Sequence, residues 1–220
     1  MVNNLFSMFD PSTNNLSLNW LSASLPLFFL GSKFWVKKSR IEMISFLSSQ
    51  KIINDMKNNL INKYNKNLII LMTIFQFILT LNLLGILPFV FAPSSHMVLC
   101  MGLSFPFWVS MYVTMWLTSP KSTLAHLVPL GTPLLLCPFM ILIETISLLI
   151  RPLTLAVRLT ANMIAGHILL SLLSQTLDKN LLSFFSASLF LCLLLMLEIS
   201  VAVIQSYVFV ILMSLYMNEM

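Results

Sequence analysis

Seven polar or ionisable side chains lie inside the most apolar stretches of this chain: Glu144, Arg151, Arg158, Asn162 and His167 in one run, Glu198 and Gln205 in the next. A charge at mid-bilayer costs about 2.5–3.5 kcal/mol by insertion scales, so ionisable residues in such a tract mark a functional site. A helix advances about 100° per residue, so Glu144, Arg151 and Arg158, at successive steps of seven, drift only about 20° per step and form one stripe. Asn162, four beyond Arg158, continues it. His167, nine beyond, points about half a turn away, toward a different neighbour. Pro152 removes a backbone donor beside Arg151, so the phase between Glu144 and Arg158 is looser than that between Arg158 and His167.

A guanidinium does not deprotonate, so Arg158 cannot itself pass a proton. It can attract a carboxylate, drive it to ionise and block direct proton leakage. Glu144, 14 residues away, is about 21 Å along a straight helix and too distant to pair with it. No other acid in the chain is placed to neutralise Arg158, which favours a carboxylate on a partner. Glu198 and Gln205 are seven apart and share a face of the following helix. With a turn at Leu177-Asp178-Lys179-Asn180, His167 and Glu198 differ in depth by about six residues, or roughly 9 Å, a gap that register or a water can bridge. Two readings of the pair stand open: a proton relay in a wet cavity, and a structural histidine–carboxylate pair.

The elements that must position these groups follow from composition. With 58% hydrophobic and 9% charged residues and a mean hydropathy of +0.93, 220 residues cannot cover a water-soluble globule, and an all-α polytopic membrane protein of one domain, 1–220, is expected. Residues 1–33 carry an apolar run at 16–31 and read as an N-terminal transmembrane helix. Over 34–67 the apolar positions Ile41, Ile44, Leu47, Ile53, Met56, Leu60 and Tyr64 recur among Lys and Asn. This pattern fits an interfacial amphipathic helix, with a solvated linker as the alternative. Residues 68–118 form a transmembrane hairpin turned at Ala92-Pro93-Ser94-Ser95-His96, its helices interrupted by Pro88 and Pro106. Residues 119–220 form a long helical hairpin. Its last apolar run, 181–217, would be about 55 Å long against a bilayer core of about 30 Å, so it either breaks or tilts steeply.

The net charge of +5 does not mark a nucleic-acid site. Eight of the twelve basic residues, Lys33, Lys37, Lys38, Arg40, Lys51, Lys57, Lys63 and Lys66, fall in one segment after the first apolar run. That is a membrane-surface pattern, and it places the segment on the electrically negative side with Met1 opposite. No basic region precedes the first apolar run, which therefore reads as a retained helix. Cys100, Cys137 and Cys192 are isolated in apolar runs and read as packing residues. Trp20, Trp35, Trp108 and Trp116 read as interfacial anchors or as core packing. Phosphate loops, G-x-S-x-G, H-E-x-x-H and clustered metal ligands are missing from the sequence, so neither cofactor nor metal chemistry is expected.

The run Ile150-Arg151-Pro152-Leu153-Thr154-Leu155-Ala156-Val157-Arg158-Leu159-Thr160-Ala161-Asn162-Met163-Ile164-Ala165-Gly166-His167 closely resembles the signature of the F-type ATP synthase subunit a family, in its mitochondrially encoded form. Asn82-Leu83-Leu84-Gly85-Ile86-Leu87-Pro88, Leu197-Glu198-Ile199 and Gln205-Ser206-Tyr207-Val208-Phe209 match it further. The resemblance covers residues from about 70 to the end; the N-terminal third matches weakly in sequence but has the expected layout. It implies a proton-translocating stator subunit, not catalytic by itself, that loads and unloads protons on the carboxylates of a rotating c-subunit ring through two offset aqueous half-channels. The residue matching Arg158 separates the half-channels and keeps the passing carboxylate ionised. In that family the positions matching His167 and Glu198 belong to the inlet from the intermembrane space, the acid matching Glu144 lies near the matrix exit, and Asn162 and Gln205 match polar residues flanking the arginine. In bacterial members the acid and histidine of that inlet tend to be exchanged. The implied partners are the c ring, the peripheral stalk, other membrane-sector subunits, protons and lipids, in the mitochondrial inner membrane, with the N-terminus in the intermembrane space and the C-terminus in the matrix. A stand-alone proton-coupled transporter or channel, with Arg158 binding an anion, is the alternative. It calls for inverted repeats, and the sequence contains no internal repeat. A purely structural scaffold leaves a mid-membrane arginine unexplained.

Overall fold

A computed structural model describes residues 5–13, 17–29, 39–59, 68–87, 90–118, 120–128, 133, 136–176 and 181–219. Their regular elements are helical: a 3-10 turn at Leu5–Phe9, a 3-10 helix at Leu18–Ser24 that runs into α1 (Leu25–Phe29), α2 (Arg40–Asn59), α3 (Leu68–Ile86), a single 3-10 turn at Pro93–Ser95, α4 (Met97–Thr118), α5 (Pro120–His126), α6 (Cys137–Thr176) and α7 (Leu181–Glu219). Four of these, α3, α4, α6 and α7, are long and apolar enough to cross a membrane. The chain is thus an all-α multi-pass membrane protein. It divides into two compact units, Met1–His96 with Ala161–Glu219, and Met97–Thr160.

The first unit is built on α3 against α7, its most extensive helix pair. Leu71, Ile74, Phe75, Ile78, Leu81, Asn82 and Gly85 are buried on α3, a stripe at helical spacing. On α7 the buried stripe is Glu198, Ala202, Gln205, Ser206, Phe209, Val210, Met213 and Ser214. The small residues Ala202, Ser206 and Ser214 let the backbones approach, which is the main source of helix attraction where lipid is as apolar as leucine. Ser206 and Ser214 turn their hydroxyls back to the carbonyls of Val203 (2.8 Å) and Ile211 (2.7 Å) and so bury no unpaired donor. The helix α2 lies within the segment expected to be amphipathic. Its Met56 is fully buried, Ile53 is half-buried, and Leu47 stays 53% exposed. Leu60 and Tyr64, with Lys33, Lys37, Lys38, Lys63 and Lys66, lie outside the described residues.

In the second unit α4 buries Cys100, Ser104, Trp108 and Met111 on one face. Pro106 sits inside α4 without ending it. The expected break at Pro88 lies outside the described residues, two positions beyond the end of α3. Trp108 is buried and stacks on Tyr112, centroids 5.2 Å apart at 9°, so core packing accounts for it, whereas Trp116 is exposed. The short α5, begun by Pro120, was not expected from the sequence. Proline suits a helix start because its missing N–H would be unsatisfied there anyway.

The long helical hairpin expected over 119–220 is carried by two continuous helices of 40 and 39 residues, each about 60 Å at 1.5 Å per residue. Neither breaks; Pro152 is carried inside α6. Of the first apolar run, the described part is Ser17, the 3-10 helix and α1, and its remaining residues, like the turn at 177–180, lie outside the described residues.

Candidate functional site

His167 is carried by α6 and Glu198 by the buried stripe of α7, and their side chains meet. His167 Nε2 is 4.0 Å from Glu198 Oε1, with both side chains under 10% exposed. The axial offset of roughly 9 Å expected from the turn position is absorbed, because the helices are not in equal register. Five residues along α6, from Asn162 to His167, correspond to seven along α7, from Gln205 to Glu198. Asn162 Nδ2 donates to Gln205 Oε1 at 3.2 Å. The first unit therefore holds two polar contacts between the same helices, an ionisable pair and an amide pair.

At 4.0 Å the histidine and the carboxylate are in electrostatic contact but beyond hydrogen-bond range. Among the described residues, neither His167 Nε2 nor either Glu198 oxygen has a hydrogen-bond partner, and buried Asn82 Oδ1 on α3 also lacks one. Buried polar atoms left unpaired cost about 1–3 kcal/mol each, so such a group needs water or a moving proton to satisfy it. A direct proton hop requires the pair to close from 4.0 Å to about 2.8 Å, and one water bonded to both does the same work without that motion.

Gly166 explains how Glu198 reaches this position. A Cβ at residue 166 would lie 2.7 Å from Glu198 Oε1 and 2.9 Å from its Cδ, so the carboxylate rests on bare backbone of α6. The sequence signal was present, since Gly166 directly precedes His167, but its role depends on what packs above it. Phe9 was also missed. Its ring stands edge-to-face to His167 at 6.3 Å and 79°.

Arg158 belongs to the second unit and is exposed, with no ion pair among the described residues. The exposure of Arg158 and burial of His167 are what a nine-residue offset on one helix requires. In the same unit the exposed α6 position Thr154, at i−4 from Arg158, is small. Glu144 and Arg151 are half-buried further up α6 in the same unit. Among the described residues no group of three His, Cys, Asp or Glu is placed to hold a metal ion.

The chain is similar to known proteins along its length. The family model described as ATP synthase A chain matches residues 16–218. The chain is 45% identical over 225 positions to ATP synthase subunit a of Aedes aegypti, covering 100% of this chain and 99% of the relative. It is 47% identical over 226 positions to that of Locusta migratoria, with 100% and 99% covered. The Artemia franciscana subunit a is 44% identical over 224 positions, with both chains covered in full.

Proposed function

Since this chain belongs to the ATP synthase A chain family, we propose that it is the proton-translocating stator subunit of the synthase's membrane sector, feeding and emptying the carboxylates of a c-subunit ring. The observation that carries this reading is Arg158: a permanent cation, exposed on an apolar helix and without a carboxylate partner among the described residues. A cation left in lipid is costly, and a carboxylate presented by a rotating neighbour relieves that cost once per passage.

The chemistry follows from the side chains. Protons reach the His167–Glu198 pair, which hold them in turn as the carboxylate and imidazole close on each other or on a shared water. Asn162 and Gln205 carry the polar path from that pair along α6 and α7 toward the level of Arg158. There the ring carboxylate picks up a proton as it leaves the guanidinium, because distance from the cation raises its proton affinity. After nearly a full turn the carboxylate meets the exit side, where Glu144 draws water or accepts the proton, and Arg158 ionises it again. Arg158 itself never gives up a proton, so protons cannot short-circuit the two half-channels. Each proton crossing supplies about 2.3 kcal/mol per 100 mV, so several are coupled to each ATP.

The 40- and 39-residue lengths of α6 and α7 fit helices that lie steeply tilted and follow the wall of a cylinder rather than crossing directly. The chain is read as 1–33 first span, 34–67 matrix-surface helix, 68–118 hairpin and 119–220 ring-facing hairpin. The basic segment faces the matrix, Met1 the intermembrane space and Met220 the matrix of the mitochondrial inner membrane. The peripheral stalk, other membrane-sector subunits and lipids cover the remaining apolar surface. Arg158→Ala tests the reading: coupled ATP synthesis in energised membranes falls to background while the complex stays assembled. Normal synthesis by that variant contradicts it.

A further inference from the structure

Outside the groups used above, His96, at the turn after α3, is a titratable side chain held between two aromatic rings and a backbone carbonyl. Its ring lies beside Trp20 (5.1 Å) and Phe91 (5.3 Å), which are 5.9 Å from each other. Its Nε2 is 3.0 Å from the carbonyl oxygen of Phe9. A carbonyl only accepts, so His96 Nε2 carries the proton and donates it to this bond. The residue so held, Phe9, is the one whose ring meets His167 edge-to-face. One residue thus touches both histidines of the first unit, one through its backbone and the other through its ring. The chain after it is tied to itself as well: Asp10 Oδ1 accepts from the Ser12 N–H at 3.0 Å, and Thr13 Oγ1 accepts from the Leu18 N–H at 3.3 Å.

We propose that Phe9 is a positioning residue for proton uptake, its ring holding the His167 imidazole toward Glu198, and that His96 holds Phe9 in place through its backbone carbonyl. This rests on the reading of His167 as a proton-handling group. The physical case is that the 4.0 Å gap to Glu198 is crossed only from a restricted set of imidazole orientations. An edge-to-face aromatic neighbour prefers one ring orientation over the others. Without it the imidazole samples rotamers pointing away from the carboxylate, and the fraction of time spent ready for transfer falls.

The test uses the whole synthase in native membranes, with proton-driven ATP synthesis and the amount of assembled subunit measured together. Phe9→Ala slows synthesis about two- to twelvefold, the range of one aromatic pair, at unchanged assembly, and Phe9→Tyr, which keeps the ring, restores it. In a His167→Ala background Phe9→Ala costs nothing more, because the group it positions is gone. Should His167→Ala alone silence synthesis, His96 decides independently. His96→Ala reproduces the Phe9→Ala loss, and His96→Gln, whose amide still donates to the Phe9 carbonyl, recovers most of it. Equal losses from Phe9→Ala with and without His167, no loss from Phe9→Ala, or a His96→Gln variant no better than His96→Ala overturns the inference. If His167→Ala leaves synthesis unchanged, the inlet reading fails as well; if it slows synthesis while Phe9→Ala does not, only the positioning role fails.

Discussion

Gly166→Ala places a methyl group where the Glu198 carboxylate rests. The added Cβ falls 2.7 Å from Oε1, and ordinary contact begins at 3.4 Å, so that oxygen must retreat by at least 0.7 Å. It is the same oxygen that faces His167 Nε2 at 4.0 Å. Glu198 has a flexible side chain and moves without disturbing the backbone, while alanine gains about 0.8–1.0 kcal/mol of helix propensity over glycine. Stability and function therefore separate: the subunit assembles at least as well as before, and proton uptake falls. A 1 Å misplacement of a reacting group costs up to about a hundredfold, so a shift of this size is expected to slow uptake about ten- to a hundredfold. The assay is the initial rate of proton-driven ATP synthesis in membrane vesicles, normalised to assembled complex. Gly102→Ala is the matched control, since a Cβ there meets nothing within 4 Å. Equal rates for Gly166→Ala and Gly102→Ala would refute the reasoning that Glu198 must sit against bare backbone to do its work.

Glu198→Gln keeps the shape of the side chain but removes its titration, and is expected to slow proton uptake severalfold while leaving ATP hydrolysis by the detached catalytic sector unchanged; unaltered uptake rates would show that Glu198 carries no proton. Gln205→Leu strands the half-buried Asn162 amide, which loses its 3.2 Å acceptor, and costs about 1–3 kcal/mol, read as a lowered unfolding midpoint of the purified membrane sector. Phe209→Ala, at a site on α7 that is 1% exposed, opens a cavity worth about 3 kcal/mol, visible as loss of assembled subunit. By contrast Asp55→Ala, which removes an exposed 3.4 Å bond to Tyr207, is expected within about 0.5 kcal/mol of the parent by the same midpoint assay.

Much of this arrangement was legible in residue spacing. Steps of seven put Glu198 and Gln205 on one face of a helix, and that face is the one α7 buries. The nine-residue offset set Arg158 and His167 apart, and the two differ in exposure accordingly. The length of the apolar run 181–217 announced α7 as a helix too long for a direct crossing. Spacing could not give the register between helices, because counting from a turn assumes that both run at equal pitch to a common axis. Hence the 9 Å estimate and the 4.0 Å contact. Gly166 and Phe9 escaped for a related reason: a missing Cβ or an aromatic ring acquires meaning only through a neighbour 32 or 158 residues away. Trp108 shows the limit of composition, since an indole suits a membrane interface and a helix-packed core alike, and only burial separates the two.

The most direct test of the central claim is disulfide cross-linking in native membranes, with cysteine at position 158 or 162 of this chain and in the mid-membrane carboxylate region of the c subunit. A cross-link is expected to form readily at either position; in the 162 variant, which keeps Arg158, it halts proton-driven rotation and after reduction and turnover forms again with any c subunit of the ring. A fully assembled complex in which neither position ever meets a c subunit would contradict it, and would leave Arg158 facing something other than a rotor.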